Sequence, residues 1–307
     1  MLHYILKRFS GALLVVFIIT TFSFFMIRIA PGGPFDKEKD IPAEIKKNIE
    51  KKYHLDEPLY KQYWRYISGV LFRFDLGPSY KYPNRDVNEF IALGFPVSMQ
   101  LAFFSMVYAL LVGIGAGLFA ALRQNTRWDY AAMGFAMIGV SIPNFVMGPL
   151  FQLFFGVKLG WLPIGGWEGP LHYILPSITL GSIYAASIAR LTRGGILEIV
   201  RQDFIRTARA KGLKERVIIF RHMLKGGLLP VVSYIGPAAA FMIGGSIVIE
   251  KIFDIPGLGR HFVQSALNRD YTLTLGLTIF LSFLILFFNL AVDLFYTWLD
   301  PRVSYDE

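Results

Sequence analysis

The amino-acid sequence predicts an all-α polytopic membrane protein with six transmembrane helices. Hydrophobic residues make up 54% of the 307 residues and charged residues only 17%, whereas soluble domains carry about 25% charged residues. Six stretches without Asp, Glu, Lys or Arg are long enough for a spanning helix, which needs about 20 residues. They do not alternate between polar and apolar residues, as the strands of a membrane β-barrel would. The stretches are residues 9–27, 90–122, 130–157, 169–189, 226–249 and 271–292.

The first apolar stretch is expected to be a retained signal-anchor helix within residues 1–29. Lys7 and Arg8 precede it, as basic residues do in a secretory signal peptide. However, its apolar run is longer than the usual ~7–15 residues, and no A-x-A cleavage pattern follows it. We therefore expect this segment to stay in the membrane as the first span.

Residues 30–95 are predicted to form an extracytoplasmic loop that contains short amphipathic helices. Residues 42–53 and 58–72 have helical patterns, and each begins with a Pro, which is favoured at the start of a helix. The second pattern is rich in Tyr and Trp, which favour the headgroup layer of a bilayer. Two interpretations stay open: a small folded cap, or two helices that lie on the membrane surface.

Residues 96–299 are expected to form the core of the membrane domain, followed by a short tail at residues 300–307. The charge-free stretches predict five spans within this core, in addition to the N-terminal helix. An even number of spans places both chain ends on the same side of the membrane. The expected bounds of the five spans are about residues 97–122, 131–157, 171–189, 228–249 and 273–298.

The distribution of Lys and Arg predicts that both termini are cytoplasmic. The short loops on the side of the termini carry 15 Lys and Arg, and the short loops on the other side carry four. Positive charge in short loops marks the cytoplasmic side of a membrane protein. Most of the net charge of +9 lies in residues 190–225, which hold ten basic and three acidic residues.

This basic segment, residues 190–225, is predicted to form two helices. Gly212 is expected to end the first helix, and residues 214–225 are expected to form the second. Apolar residues recur at every fourth position before the Gly, which predicts one apolar stripe on a single helix. The stripe comprises Ile196, Val200, Phe204 and Ala208. Basic segments beside a membrane also bind anionic lipid, so the pattern alone leaves the partner of this segment open.

Several motifs resemble those of ABC-importer permeases of the peptide/nickel class. The similarity extends over essentially the whole chain and is greatest to oligopeptide permeases. It implies the type I ABC importer permease fold. The motifs are YHLDEPLYKQY (53–63), DLG (75–77), FIRTARAKGL (204–213), RH (221–222), LLP (228–230), IPGLG (255–259), NRDY (268–271) and DPR (300–302).

The resemblance implies that the basic segment carries the coupling helix, which seats in a groove of an ATPase subunit. The wider superfamily has a Glu-Ala-Ala…Gly signature here. Arg206 and Thr207 stand at the positions of its Glu and first Ala, while Ala208 and Gly212 match it. Positive charge suits an acidic groove, and a short rigid helix can transmit a rigid-body movement. The coupling residues implied are Arg206, Thr207, Ala208, Arg209, Ala210, Lys211, Gly212 and Leu213.

The same resemblance implies a subunit of an ATP-driven importer in the bacterial inner membrane, which forms the translocation path for oligopeptides. The expected partners are a second homologous permease subunit, two ABC ATPase subunits, a periplasmic solute-binding protein, the peptide substrate and membrane lipid, but no nucleic acid. Dipeptides, nickel and antimicrobial peptides stay open as alternative substrates. The residues alone also leave open a passive channel, a membrane scaffold or a lipid-binding anchor.

Groups for catalysis or for metal binding are not recognised in the sequence. It contains no Cys and no G-x-x-x-x-G-K-[ST] phosphate loop, and its five His residues lack metal-ligand spacing,. We therefore expect no catalytic residue, metal or cofactor in this chain, and ATP and Mg²⁺ bound by partner subunits. Gly113, Gly115 and Gly117 lie in a spanning stretch, where small residues let helices pack closely.

Proline, glycine and asparagine are expected to interrupt the third and fifth spans, and Pro176 the fourth. Such breaks are tolerated where neighbouring helices or a water-lined cavity satisfy the freed backbone groups. They are consistent with ordinary kinks for packing, or with a lining of the translocation path. The residues hypothesised to line this path are Pro143, Asn144, Pro237, Gly244 and Gly245.

Overall fold

The computed structural model describes residues 2–29, 33–35 and 51–299, and these residues are mainly helical. Within them, β-structure is limited to one isolated bridge between Pro78 and Asp86. The helices named below are α1 (Leu2–Ile29), α2 (Leu59–Arg73), α3 (Val87–Leu122), α4 (Arg127–Ser141), α5 (Asn144–Phe151, continued as a π-helix over Gln152–Lys158), α6 (Pro170–Val200), α7 (Asp203–Ala210), α8 (Glu215–Gly227), α9 (Leu229–Ile252), α10 (Leu258–Asn268) and α11 (Tyr271–Leu299).

The helices confirm the prediction of an all-α protein with six spans. Four of the described helices, α1, α3, α6 and α11, are each long and apolar enough to cross a membrane. The pair α4 and α5 bends by 103°, and the pair α8 and α9 bends by 55°. Each bent pair passes the same test of length and composition, so the total is six when a pair counts as one span.

Some helices extend well beyond the charge-free stretches. α3 begins at Val87 rather than near residue 97, and α6 continues through Arg190 and Arg193 to Val200. Arg and Glu are good helix formers, so a charged residue marks the edge of the membrane without ending the helix. Hydropathy therefore indicates where a span lies, and backbone geometry decides where the helix stops.

The third predicted span is broken rather than straight. Ile142, which precedes Pro143, has extended backbone angles of φ −105° and ψ 120°. The Pro ring disfavours the helical conformation for the residue before it, which explains the break at this position. α5 restarts directly after it, with the N–H of Val146 donating to the Pro143 carbonyl at 2.9 Å. The two halves consequently point in different directions.

The helix α2 confirms the prediction for the second half of the first loop. It begins directly after Pro58 and packs against α1 through aromatic rings. The Tyr63 ring stacks on Phe25 with 5.4 Å between ring centroids, and it meets the edge of Phe24 at 5.2 Å. The other predicted helix, residues 42–53, lies largely outside the described residues, of which 51 and 52 are helical.

Two compact units make up the chain. The first comprises residues 1–98 and 256–287, and the second comprises residues 99–255 and 288–307. In the first unit, the fully buried Phe24 packs with Leu275 and Ile279 of α11. Burial of apolar side chains of this size is the main favourable term in packing such a core in water, and within lipid close van der Waals contact replaces it.

The second unit is organised around α6, which contacts α4, α8 and α9. It also lies directly against α3, because a Cβ atom added at Gly113 would come within 2.7 Å of Ile188, and one at Gly117 within 2.5 Å of the Ala189 carbonyl. These two glycines therefore confirm the packing prediction. Gly115 does not, since a Cβ atom there would meet nothing within 4 Å.

Candidate functional site

The basic segment turns between α6 and α7, which corrects the prediction of one continuous apolar stripe. α6 ends at Val200, and α7 begins only after a turn at Arg201 and Gln202. The turn shifts the helical face by one residue, so that Ile205 is fully buried while Phe204 is 48% exposed. Periodicity alone continued the stripe through a turn that contains no Gly or Pro to mark it.

The buried face of α7 rests on a small hydrophobic cluster. Ile205 and Ala208 pack with Ile196 of α6 and with Ile218 and Met223 of α8, and all five are almost inaccessible to solvent. This cluster connects a short helix of eight residues to two longer ones. Since isolated helices of this length are unstable in water, the contacts of α7 with α6 and α8 hold it in place.

A Schellman motif closes α7 at Gly212, which confirms that this Gly ends the helix. Gly212 has a left-handed φ of +74°. Its N–H donates to the Arg209 carbonyl at 2.9 Å, and the N–H of Leu213 donates to the Ala208 carbonyl at 3.3 Å. These bonds pair carbonyl groups that the helix end would leave free. Of the predicted coupling residues 206–213, the last three thus form a turn rather than helix.

The outer face of α7 combines cationic and apolar side chains. Arg206 is exposed, and it pairs with the equally exposed Asp203 at 3.5 Å. Arg209 donates from Nε to Glu215 across the Gly212 turn at 2.7 Å. Exposed ion pairs of this kind contribute little stability. The exposed face with Phe204 is thus suited to contact another protein, and it holds no arrangement of groups for catalysis.

Close contact between glycines holds α8 on α6. A Cβ atom added at Gly195 would overlap the backbone carbonyl of Gly227, and one added at Gly226 would lie 2.8 Å from Ile199 Cδ1. Small residues permit this close approach of two backbones. α8 includes a π-helical stretch over Ile218–Met223, and this stretch carries two of the side chains that bury α7.

A bidentate ion pair between α4 and α6 was not identified from the sequence. Arg193 donates from Nε to Asp129 Oδ1 and from Nη2 to Oδ2, both at 2.7 Å. The Asp129 side chain is 2% exposed and also accepts from the N–H of Asn125 at 2.9 Å. The partners are 64 residues apart, so no local pattern reveals them. Arg193 lies three residues before Ile196 on α6. The ion pair therefore fixes the start of α4 to α6 close to the hydrophobic cluster under α7.

The residues hypothesised to line a path lie at one helix break and within one continuous helix of the second unit. Pro143 and Asn144 form the bend between α4 and α5, and the Oδ1 atom of Asn144 is buried without a hydrogen-bond partner among the described residues. Pro237, Gly244 and Gly245 lie within α9, which continues through them, so the prediction that they interrupt the fifth span is wrong. The bend of this span lies between Gly227 and Leu229 instead. Contacts between α5 and α9 are instead recorded at Gly148, where an added Cβ atom would lie 3.2 Å from Ile252 Cγ2.

A cavity of about 210 Å³ lies beside the bend, among α3, α4, α5 and α6. Its lining is mostly apolar, with Tyr108 and Ser182 as polar exceptions, and it includes none of the five residues hypothesised to line a path. The bend creates it, because α5 turns away from the direction of α4. Pro143 in the sequence predicts the bend, but no local pattern predicts the space that the bend encloses.

Two family models match this chain. Residues 113–305 match the family described as "Binding-protein-dependent transport system inner membrane component". Residues 1–102 match the corresponding N-terminal family, "Binding-prot-dependent transport system membrane comp, N-term". The first match contains α7 and both bent pairs, and the second contains α1 and α2. Together the two matches extend over almost the entire sequence.

Named relatives are similar over their full lengths. The chain is 51% identical to the oligopeptide transport system permease protein OppB of Salmonella typhimurium, over 99% of this chain and 100% of the relative. It is 50% identical to OppB of Haemophilus influenzae, with the same coverage. The dipeptide transport system permease protein DppB of Bacillus subtilis is 43% identical, over 99% of this chain and 98% of the relative.

Solved structures with a similar fold are more distant in sequence. The inward-facing MetNI methionine ABC transporter aligns with a TM-score of 0.57 at 19% identity, over 69% of this chain and 97% of that chain. An amino acid ABC transporter crystallised with histidines aligns with a TM-score of 0.53 at 17% identity, over 68% and 93%. At this identity the similarity concerns the fold alone.

Proposed function

Because this chain belongs to the family of binding-protein-dependent transport system inner membrane components, we propose that it is the membrane-spanning subunit of an ATP-driven importer that forms the path for oligopeptides. Relatives named as oligopeptide permeases, which are 50–51% identical over the full chain, support this substrate class. Dipeptides are the second candidate, supported by the relative at 43% identity.

The importer requires partner subunits. We infer a second homologous permease subunit, two ABC ATPase subunits that bind ATP and Mg²⁺, and a periplasmic solute-binding protein. The excess of Lys and Arg in the short loops supports a topology with both termini, and therefore α7, in the cytoplasm,. α4, α5 and α9 carry exposed apolar side chains that lipid or a second permease subunit would cover. They include Phe135, Phe145 and Phe241.

The seating of α7 is the observation that carries the proposal. One face of this helix is buried on α6 and α8 through Ile205 and Ala208, and the other face is cationic and exposed. An ATPase subunit that grips the exposed face would move α7 together with α6 and α8 as one body. α8 bends directly into α9, so this movement reaches a broken span. Two states of the helices with different affinity for the ATPases suffice for this mechanism.

The broken spans are proposed to line the path. Helix breaks expose backbone groups that only neighbouring protein or water satisfies. The Oδ1 atom of Asn144 at the α4–α5 bend, which has no hydrogen-bond partner in the part of the chain that the structure describes, is consistent with such a role. The absence of Cys from the sequence permits a direct test. Single Cys residues at Asn144 and Gly244 should react with water-soluble thiol reagents in at least one nucleotide state, whereas Cys at the exposed apolar Phe145 should not. Inaccessibility of Asn144 and Gly244 in every state would refute this assignment.

Charge reversal on α7 tests the docking role. Arg206→Glu changes an exposed side chain, so the fold should persist while binding of the ATPase subunits and uptake of a tetrapeptide fall about tenfold or more. Arg216→Glu is the matched control, with the same charge change on an exposed residue of the same basic segment outside residues 206–213. Co-purification of the ATPases and uptake into proteoliposomes measure the two effects.

Ala208→Glu provides a stronger perturbation of the same surface. It places a carboxylate in the buried cluster under α7, which costs several kcal/mol unless the helix moves away. We expect normal membrane insertion, but lost ATPase association and uptake. Unchanged uptake in both Ala208→Glu and Arg206→Glu would overturn the coupling assignment. Equal losses of ATPase binding and uptake in Arg206→Glu and Arg216→Glu would show that the net charge of the basic segment, and not residues 206–213 in particular, causes the effect.

A further inference from the structure

The first unit places α2 at the membrane boundary. The charge-free stretch of residues 9–27 in α1 is about 28 Å long at 1.5 Å per residue, close to the hydrocarbon thickness of ~30 Å. Arg28 is the first charged residue after it. α2 contacts α1 from Thr21, which bonds Tyr63 at 2.7 Å, to Arg28, which donates to Gln62 at 3.1 Å. α2 therefore lies beside the last two turns of α1, at the depth of the lipid headgroups.

The outer face of α2 is suited to that depth. It carries large apolar and aromatic side chains whose exposure exceeds half, together with basic residues such as Lys61 and Arg73. Trp and Tyr are enriched where a protein meets the headgroup layer, and Lys and Arg attract anionic lipid. The exposed side chains are Tyr60 at 67%, Trp64 at 68%, Leu71 at 59% and Phe72 at 78%, and Phe74 directly after the helix is 81% exposed.

A cavity of about 210 Å³ lies between α1, α2, the loops that flank α2 and Thr272 at the start of α11. Two residues of its lining, Arg28 and Tyr66, each have a buried polar atom without a hydrogen-bond partner among the described residues, namely Nη1 of Arg28 and the hydroxyl of Tyr66. A buried polar group without a partner costs about 1–3 kcal/mol, and more when it is charged. Burial also raises the pKa of Tyr66 well above its usual range, so its hydroxyl stays a hydrogen-bond donor.

The remaining charges around the cavity favour an anion. Lys52 lines it, as does Arg65, which forms an ion pair with Glu57 at 2.9 Å. The acidic member of the lining, Asp75, already accepts the N–H of Gly77 at 2.8 Å through Oδ1. Among the described residues that line the cavity, the buried donors without an acceptor are thus Nη1 of Arg28 and the phenol of Tyr66.

We propose that this cavity binds the phosphate of an anionic phospholipid headgroup, with Arg28 and Tyr66 as donors. A phosphate has several acceptor oxygens for these two donors, and an Arg guanidinium matches its geometry. The acyl chains of the same lipid would continue along the apolar surface of α1. In the topology proposed above the lipid belongs to the outer leaflet, whereas the site itself rests only on the contacts within this unit.

Competition binding to the purified full-length chain in detergent tests the site. The probe is dioleoylphosphatidylglycerol, detected by native mass spectrometry. We expect saturable binding that weakens about tenfold or more in Arg28→Gln and about two- to fivefold in Tyr66→Phe, which removes only a hydroxyl. Arg73→Gln, an exposed basic residue of α2 outside the cavity lining, should bind like the unchanged chain.

The competitors identify the chemical group that is recognised. Dioleoylglycerol, which has the same chains without phosphate, should not compete. Inorganic phosphate should compete only weakly, because it lacks the chains. Equal binding by the unchanged chain, Arg28→Gln and Tyr66→Phe would overturn the proposal, as would full competition by dioleoylglycerol. Displacement by inorganic phosphate at the lipid's own concentration would assign the site to free phosphate instead of lipid.

Discussion

Asp129 in the second unit and Asp270 in the first are both almost inaccessible to solvent, but different groups satisfy them. Asp129 is held mainly by one cationic side chain, Arg193. Asp270 accepts from the Ser79 hydroxyl and from the backbone N–H groups of Tyr80 at 3.2 Å and Leu273 at 3.2 Å. It accepts from the N–H of Lys81 as well, at 3.3 Å.

The comparison shows two ways to anchor a loop beside a bundle of helices. Backbone donors are supplied by the fold itself, so that only replacement of Asp270 removes the whole network. An ion pair depends on two side chains, and a change at either one leaves the other buried and unpaired. The first unit should therefore be sensitive at one residue, and the second at two coupled residues.

The largest effect is expected for Asp270→Ala. It strands the buried donors Ser79 and Leu273 and the partly buried N–H groups of Tyr80 and Lys81. Since hydrogen bonds to a charged group contribute about 1.5–3 kcal/mol each, we expect a loss of about 4 kcal/mol in unfolding free energy. Denaturant unfolding in detergent measures it. Asp75→Ala is the control, since the exposed Asp75 accepts only the Gly77 N–H among the recorded bonds. A loss below about 1 kcal/mol for Asp270→Ala would contradict the role of this network.

Arg193→Met should have the second largest effect. It leaves Asp129 without its cation, and because Arg193 is 28% exposed, the cost belongs at the low end for buried pairs, about 2–3 kcal/mol. The double variant Asp129→Asn/Arg193→Gln should be more stable than Arg193→Met, since it removes the unpaired charge. If the losses of the single variants Asp129→Asn and Arg193→Gln add up to the loss of this double variant, the pair is not coupled.

Gly212→Ala should cost about 1 kcal/mol, because a side chain at φ +74° is strained,. Gly194→Ala in the same basic segment is the control. A Cβ atom at Gly194 meets nothing within 4 Å, and its φ is not left-handed, so Ala should leave stability unchanged or raise it slightly. Thermal unfolding of both variants is the measurement, and equal shifts would argue against the Schellman motif as the reason for Gly212.

The smallest effect is a pH dependence that belongs to the first unit. Burial, followed by the charges of Arg260 and Arg85, lowers the pKa of His261 from 6.5. As the pH falls, the unfolded chain therefore binds a proton at His261 at a higher pH than the folded chain does. Stability should be full above about pH 6.5 and should fall as the pH drops toward the lower folded pKa. His261→Gln should make the unfolding free energy less dependent on pH between pH 5 and 7 and leave it unchanged at pH 8. If this variant keeps the same dependence on pH, His261 is not its cause.

Several elements could be predicted from local patterns. Pro58 predicted the start of α2, Gly212 predicted the end of α7, and the charge-free stretches predicted six spans. Each depends on a residue type with a strong local preference. The turn at residues 201–202 could not be predicted, because it contains neither Gly nor Pro. For that reason the burial of Ile205 rather than Phe204 was missed as well.

The sequence by itself determined the helical class, the number of spans and the location of the positive charge, since hydropathy and charge are local properties of the chain. Only the tertiary structure decided which acceptor Arg193 meets, how far α5 turns from α4, and which face of α7 is buried. Those features depend on contacts between segments that are distant along the chain. The cavity beside Arg28 is another of them, because α1, α2, the loops that flank α2 and the start of α11 form it together.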